Sequence, residues 1–313
     1  MPVVQSYADR RFRVLSLDGG GAKGFYTLGV LKELEALLGG RLAERFGLIF
    51  GTSTGAIIAA LLALGRSVDE IHETYKQHVP SIMSRRTRRS RTAALASAAA
   101  EIFGEMTFRD VTTPLGVVAA KWLSEKPMIF KSDVMQAHGS KATFTPGFGV
   151  TLADAVQASC SAFPFFERKT VTTEAGDYVE LVDGGYCANN PTLYAIADAT
   201  VSLGKPRGDV RVINIGVGVY PRRRRFLVWA VKQVPFNAID LLQKTLEINT
   251  QSMDQLRTIL FRDIPTIRIS DSFDQPELAT DLLEDDLQKL NLLRQRGRES
   301  YATREADLKT LLL

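Results

Sequence analysis

Short apolar runs alternate with longer stretches of helical periodicity along most of this chain. Arg13 to Leu17 predicts a strand that closes on Asp18 and three glycines. Phe25 to Leu38 then sets Leu28, Leu31, Leu34, Leu37 and Leu38 at helical spacing, with Gly39-Gly40 as a stop signal. Phe46 to Phe50 predicts a second strand, residues 54–64 a helix, and Val68 to His78 another helix. Further strands are predicted at Leu115 to Ala120, Met128 to Lys131, Tyr178 to Val182 (ending at Asp183), Val210 to Gly216 and Ile264 to Ile269. Helices are predicted at Leu152 to Ser159, Pro191 to Leu203 and Asn237 to Leu260, with a helical tail from Glu277 to Leu313. Strands alternating with helices predict a three-layer α/β fold with a mostly parallel central sheet and a helical C-terminal extension. No repeat and no Pro/Gly/Ser-rich linker divides the chain. One domain is therefore expected over residues 1–313, with its core at about 13–216 and a mainly helical part over 222–313.

Residues 80–104 break this rhythm. An arginine run is followed by an alanine-rich stretch, which predicts an excursion from the core, part loop and part helix. Leu48 to Gly65 carries no charge over 18 residues, but its embedded Gly, Thr and Ser residues favour a buried core segment over a membrane span.

Composition adds bounds. The 313 residues are 45% hydrophobic and 24% charged, enough for one large core. Cys160 and Cys187 have no paired spacing, which argues against a disulfide framework or a zinc site and suits a reducing cytosol. Met1 to Arg13 has no apolar stretch of the signal-peptide kind, so a cytoplasmic protein is expected. The net charge is only +4, but Arg85, Arg86, Arg88, Arg89 and Arg91 cluster, as do Arg222, Arg223, Arg224 and Arg225. Local clusters attract anionic partners more than the total does.

Gly51-Thr52-Ser53-Thr54-Gly55 reads G-x-S-x-G between a predicted strand and a predicted helix. Small neighbours let the backbone take a strained turn that projects the Ser53 hydroxyl, and the helix start favours negative charge beside it. Gly51 and Gly55 support that turn. The motif alone is weak; its strand–helix setting strengthens it.

Gly19, Gly20, Gly21 and Gly24 form a second loop after the first strand. The string also matches G-x-G-x-x-G, so a nucleotide-binding, non-hydrolytic module is the rival reading. Against it, Asp18 would repel a pyrophosphate, and the second strand leads to a serine elbow rather than a ribose-gripping acid. As an oxyanion hole, the loop would point N–H groups at a substrate oxygen, each donor being worth ~3 kcal/mol. Lys23 adds positive charge nearby.

A third loop, Asp183-Gly184-Gly185, follows an apolar strand. His72, His78 and His138 lie away from all three loops in the sequence, which makes a Ser-His-Asp triad doubtful. A Ser53–Asp183 dyad is the better proposal. Aspartate ionises at about 3.9, so burial would have to raise it for Asp183 to act as a base.

These blocks resemble the patatin-like phospholipases. Asp18 to Gly24, Gly51 to Gly55, and Asp183-Gly184-Gly185 with Asn189-Asn190-Pro191 match in order, and Ala158 to Phe166 looks like the family's Ala-Ser-x-Ala-x-Pro-x-Phe block. The resemblance implies a patatin-like hydrolase fold and a Ser53–Asp183 dyad. Its oxyanion hole would come from Gly19, Gly20 and Gly21, joined by Thr54. It also implies hydrolysis of acyl esters of glycerophospholipids through an acyl-enzyme, with no metal and no catalytic cofactor. Lys23 stands where the family often carries arginine, and lysine lacks the planar fork. The short form is similar, too, to phospholipase effectors of cyclic-oligonucleotide antiphage signalling. That likeness implies a cyclic di- or trinucleotide activator and action at the inner membrane, and self-association on activation is a separate expectation. No DNA partner is expected.

The basic clusters and Lys23 are candidate contacts for lipid headgroups or for nucleotide phosphates. Phe226, Leu227, Val228, Trp229, Val231 and Val234 follow the second cluster and suggest an interfacial helix. Leucines at helical spacing from Asp281 to Leu313 suggest core packing or self-association.

Overall fold

The computed structural model describes residues 11–139, 141–221 and 235–313. In chain order it contains β1 (Phe12–Leu17), α1 (Gly24–Leu38), β2 (Leu48–Thr52), α2 (Thr54–Ala63), α3 (Val68–Met83) and α4 (Arg88–Phe103). There follow β3 (Leu115–Lys121), β4 (Lys126–Lys131), α5 (Leu152–Ser159), β5 (Lys169–Thr172), β6 (Tyr178–Asp183), α6 (Gly185–Ala188) and α7 (Thr192–Ala197). The chain closes with β7 (Val210–Ile215), α8 (Pro235–Leu260), β8 (Thr266–Ile269), α9 (Leu287–Ala302) and α10 (Glu305–Leu312).

The sheet is parallel through its centre, where β3, β2, β1, β7 and β8 lie side by side. It turns antiparallel where β4, β6 and β5 join. The strands carry the sheet's core on both faces, which is why they read as near-continuous apolar runs. Leu15, Leu17, Ile49 and Ile213 face the layer built by α1 to α5 with α9 and α10. Val14, Leu48, Phe50 and Val212 face α7. The expected three-layer fold is therefore observed, with a mixed sheet.

Residues 80–104 differ from expectation. Helix α3 runs through Pro80 to Met83, and α4 begins five residues later. The Thr87 hydroxyl accepts from the Ser90 N–H and caps α4, and the alanines that follow are strong helix formers. Leu95, Ala98, Ala99 and Phe103 are buried, so this segment belongs to the core rather than departing from it.

Helix α1 is buried almost all round in its first two turns, because α9 covers the side away from the sheet. A Cβ at Gly297 would stand 2.1 Å from the Tyr26 carbonyl oxygen, so only glycine permits this approach. The helical tail thus serves as core packing. Its helices begin only at Leu287; residues 281–283 instead fold over the glycine loop, where Ala22 N–H donates to the Leu282 carbonyl at 3.1 Å. Sequence periodicity also missed strand β5.

Candidate functional site

Strand β3 has β4 along one edge and two strands in succession along the other. Over Leu115 to Val118 that second edge pairs with β2, and over Ala119 to Lys121 with β6. Parallel β2 and antiparallel β6 therefore meet end to end. Ser53 follows the last residue of β2, and Asp183 is the last residue of β6.

Ser53 has φ +53° and ψ −123°, a conformation that side chains other than glycine's rarely adopt. Its neighbours hold it there. Its N–H donates to Ser159 Oγ at 2.8 Å, and Ser159 Oγ donates to the Val118 carbonyl at 2.6 Å. Ala56 and Ile57 N–H groups donate to its carbonyl at 2.8 and 3.2 Å. Helix α2 presses on the strand ends: a Cβ at Gly55 would stand 2.3 Å from the Leu17 carbonyl oxygen.

Asp183 is buried, and one carboxylate oxygen accepts from Gly185 N–H at 2.7 Å. Burial pushes its pKa up to about 7, with the Gly185 N–H and the Ser53 hydroxyl pulling partly back. A group so poised can take a proton near neutral pH. Its backbone N–H is tied to the Ser161 carbonyl at 3.1 Å, so the segment after α5 braces both Ser53 and Asp183.

The glycine loop reaches the same place. Gly19 lies so close that a Cβ there would be 3.2 Å from Ser53 Cβ. Its N–H, however, donates to the Asn189 carbonyl at 2.9 Å, which corrects the expectation that Gly19 presents a free donor. The N–H groups of Gly20, Gly21 and Thr54 make no hydrogen bond with any described residue, and all three residues line the cleft with Ser53. Asp18 does not line that cleft but borders a second, polar one. It is buried, with Arg268 at 2.8 Å and Asn214 Nδ2 at 2.7 Å.

Asn189 connects these parts, a role sequence reasoning missed although the residue was visible in Asn189-Asn190-Pro191. Its side-chain amide donates to Thr250 Oγ1 at 2.7 Å and to the Gly19 carbonyl at 3.3 Å. Its backbone N–H donates to Asn249 Oδ1 at 2.9 Å. Helix α8 is thereby fastened to the loops that carry Asp183 and Gly19.

The cleft holds about 650 Å³ of empty space including its mouth, with walls of Ile57, Val79, Ile82, Leu95, Phe165 and Phe166. A second apolar cavity of about 370 Å³ shares Ile57, Val79, Ile82 and Leu95 and continues between α3 and α4 past Ala98 and Ala99. A polar cleft of about 550 Å³ lies across the glycine loop, lined by half-buried Lys23, Arg268 and the α8 residues Gln243, Glu247 and Gln251. Burial pulls the Lys23 ammonium pKa down, and Glu247 and Asp281 push it back.

The first arginine cluster splits. Arg85, Arg86, Arg88 and Arg89 are exposed. Arg91 is turned inward and donates to the Phe165 carbonyl at 2.9 Å and the Arg85 carbonyl at 2.6 Å, so it is not presented to an outside anion as expected. Arg222 to Arg225 and the apolar residues after them lie outside the described residues. His138 does meet Asp198, at 2.7 Å, and Ser202, at 3.0 Å. That trio sits at the opposite end of the sheet from Ser53, and Lys131 shares Asp198 at 2.5 Å. Among the described residues no cluster of His, Cys, Asp and Glu could hold a metal ion, and no helix is long and apolar enough to cross a membrane.

A serine on a strained strand–helix turn, a buried aspartate and a glycine loop on an α/β sheet define a patatin-type hydrolase. Residues 15–196 match the patatin-like phospholipase family, and the chain belongs to it. It is 65% identical over 305 residues to the cUMP-AMP-activated phospholipase of Escherichia coli, covering 97% of this chain and 95% of that one. It is 30% identical over 231 residues to a cGAMP-activated phospholipase of Escherichia coli, covering 66% of this chain and 62% of that one. A cGAMP-activated phospholipase of Vibrio cholerae is 29% identical over 245 residues, covering 69% of this chain and 66% of its own.

Proposed function

We propose that this chain hydrolyses acyl esters of membrane glycerophospholipids with Ser53 as nucleophile and Asp183 as its base. Ser53 Oγ attacks the acyl carbonyl carbon while Asp183 takes the hydroxyl proton. The N–H groups of Gly20, Gly21 and Thr54 stabilise the oxyanion, each worth ~3 kcal/mol. Asp183 returns the proton to the departing lysolipid oxygen, leaving an acyl ester on Ser53. Water, deprotonated by Asp183, then attacks that ester; the bond to Ser53 Oγ breaks as Asp183 returns the proton to that oxygen, and the fatty acid leaves. The observation that carries this reading is the meeting of β2 and β6 on one edge of β3, which brings Ser53 to the buried Asp183; burial pushes that carboxyl up to about 7. The apolar cleft supports an acyl chain as the bound group.

The same proposal includes gating. The relatives described above are named for activation by cUMP-AMP and by cGAMP. We assign this chain a cyclic di- or trinucleotide activator, self-association on activation, and a cytoplasmic location that becomes peripheral to the inner membrane.

Fatty-acid release from phosphatidylglycerol and phosphatidylethanolamine vesicles tests both parts. Wild type and Ser53→Ala are compared with and without a panel of cyclic nucleotides that includes cUMP-AMP. Release that requires Ser53 and rises with one nucleotide supports the whole reading. Release indifferent to every nucleotide removes the gate and leaves the hydrolase. Equal release from Ser53→Ala removes the dyad. Light scattering with and without the nucleotide checks self-association.

A further inference from the structure

The β3–β4 hairpin overhangs the end of the sheet at which Ser53 sits. Strand β2 stops opposite Val118, but β3 continues to Lys121 and turns through Trp122 and Leu123 before β4. Four residues of extended chain carry the tip roughly 13 Å past that level. Trp122 is 39% exposed and Leu123 83% exposed. Trp122 N–H donates to the Glu180 carbonyl at 2.9 Å, and Tyr178, at the start of the same strand β6, is 78% exposed.

Aromatic and guanidinium groups alternate across this end. The Arg168 guanidinium lies 5.0 Å from the Trp122 ring, Trp122 and Phe163 stand 6.1 Å apart, and the Arg88 guanidinium lies 5.3 Å from the Phe163 ring. Exposed Arg85, Arg86 and Arg89 flank Arg88 at the start of α4. Glu167 and Glu180 offset two of these charges, at 4.0 Å from Arg88 and 3.1 Å from Arg168. Phe163 belongs to the segment whose Ala162, Phe165 and Phe166 line the Ser53 cleft.

We propose that Trp122, Leu123, Tyr178, Phe163, Arg88 and Arg168 form the surface that docks this protein on an anionic lipid bilayer, with the Ser53 cleft facing the membrane. This rests on the phospholipase reading. Tryptophan and tyrosine settle at the headgroup level, where ring and polar tip are both satisfied. Leu123 reaches beyond them into the acyl boundary, and the arginines meet lipid phosphates. Guanidinium groups seated against Trp122 and Phe163, with exposed Arg85, Arg86 and Arg89 beside them, fit an anionic lipid surface better than a neutral protein face.

The test is vesicle co-sedimentation of Ser53→Ala, with and without cUMP-AMP, on phosphatidylglycerol/phosphatidylcholine and on phosphatidylcholine vesicles. Leu123→Asp in that background is expected to weaken binding to both by roughly tenfold. Arg88→Gln/Arg168→Gln is expected to weaken binding to the anionic vesicles alone, by roughly tenfold. Leu123 is surface-exposed, and a matching melting temperature confirms that its variant is folded. Parental binding by both variants overturns the proposal, as does no vesicle binding by Ser53→Ala under any condition. A change in mass by light scattering with unchanged vesicle binding overturns it too and makes the face a protein interface. Because the assay uses Ser53→Ala and reads binding, it is independent of the dyad; loss of fatty-acid release with Ser53 intact and vesicle binding preserved would instead count against the hydrolase reading.

Discussion

Thr52 and Asp183 pair with adjacent residues, Val118 and Ala119, on the same edge of β3. Two strands running toward each other end one register step apart. The residue after Thr52 is Ser53, so backbone hydrogen bonding alone brings a serine and an aspartate together. Strand pairing fixes Asp183 and the residue before Ser53, and the Ser159 brace then holds the turn that carries Ser53.

The first prediction concerns pH. As the proposed base, Asp183 would act only when ionised, and burial raises it to about 7. The kcat/KM on a soluble short-chain ester is expected to rise through about pH 7 and level off above it. A flat profile from about pH 5 to 9 would remove Asp183 as the base.

Stability carries the opposite sign. Unfolded, Asp183 releases its proton near 3.9, whereas the folded chain holds it to about 7. Between those values the folded state binds more protons, so raising pH costs stability, in full above about 7, by roughly 4 kcal/mol. Asp183→Asn escapes that cost. It is expected to be inactive, with a melting temperature that gains on wild type at alkaline pH and not in acid. Thermal melts of both proteins across pH check this.

Ser53→Gly should melt higher than Ser53→Ala. Both lack the proposed nucleophile, but glycine relaxes at φ +53° where alanine stays strained, a difference of ~1–3 kcal/mol. Equal melting temperatures would mean the turn carries no strain.

Helix α8 holds Asn189 through Asn249 and Thr250. Thr250→Val removes the acceptor of the Asn189 amide and is expected to lower kcat roughly tenfold while leaving KM nearly unchanged, because it loosens the glycine loop rather than the apolar cleft. Thr250→Ser should restore kcat. A rise in KM alone would contradict a positioning role.

Ala98 lines the cavity that continues the Ser53 cleft between α3 and α4. Ala98→Phe fills it and should lower the ratio of kcat/KM for palmitoyl over butyryl esters by roughly tenfold. An unchanged ratio in a folded variant would place the acyl chain elsewhere.

Much of the site is written in local sequence. Gly51 to Gly55 lies between an apolar run and a helix-forming run, and the glycines near Asp18 and Asp183 close strands, so each loop's position at a strand end is legible. The brace at Ser159 was visible only as part of a family block, without a role. Leu282 over the glycine loop and Thr250 behind Asn189 carry no local signal, since they are ordinary residues made important by where the chain returns. Arg91 looks like its neighbours in the run, and only the capped start of α4 turns it inward.

By itself the sequence determined the alternation of strands and helices, the strained serine turn and the glycine loops, because period, turn chemistry and small side chains act over a few residues. The tertiary structure decided that β6 runs against β3 and meets β2 end to end, that Gly19 spends its N–H on Asn189, and that burial brings Asp183 near neutral pH. Those outcomes depend on strand pairing and desolvation between segments more than a hundred residues apart, as Thr52 and Asp183 are. No local pattern encodes them.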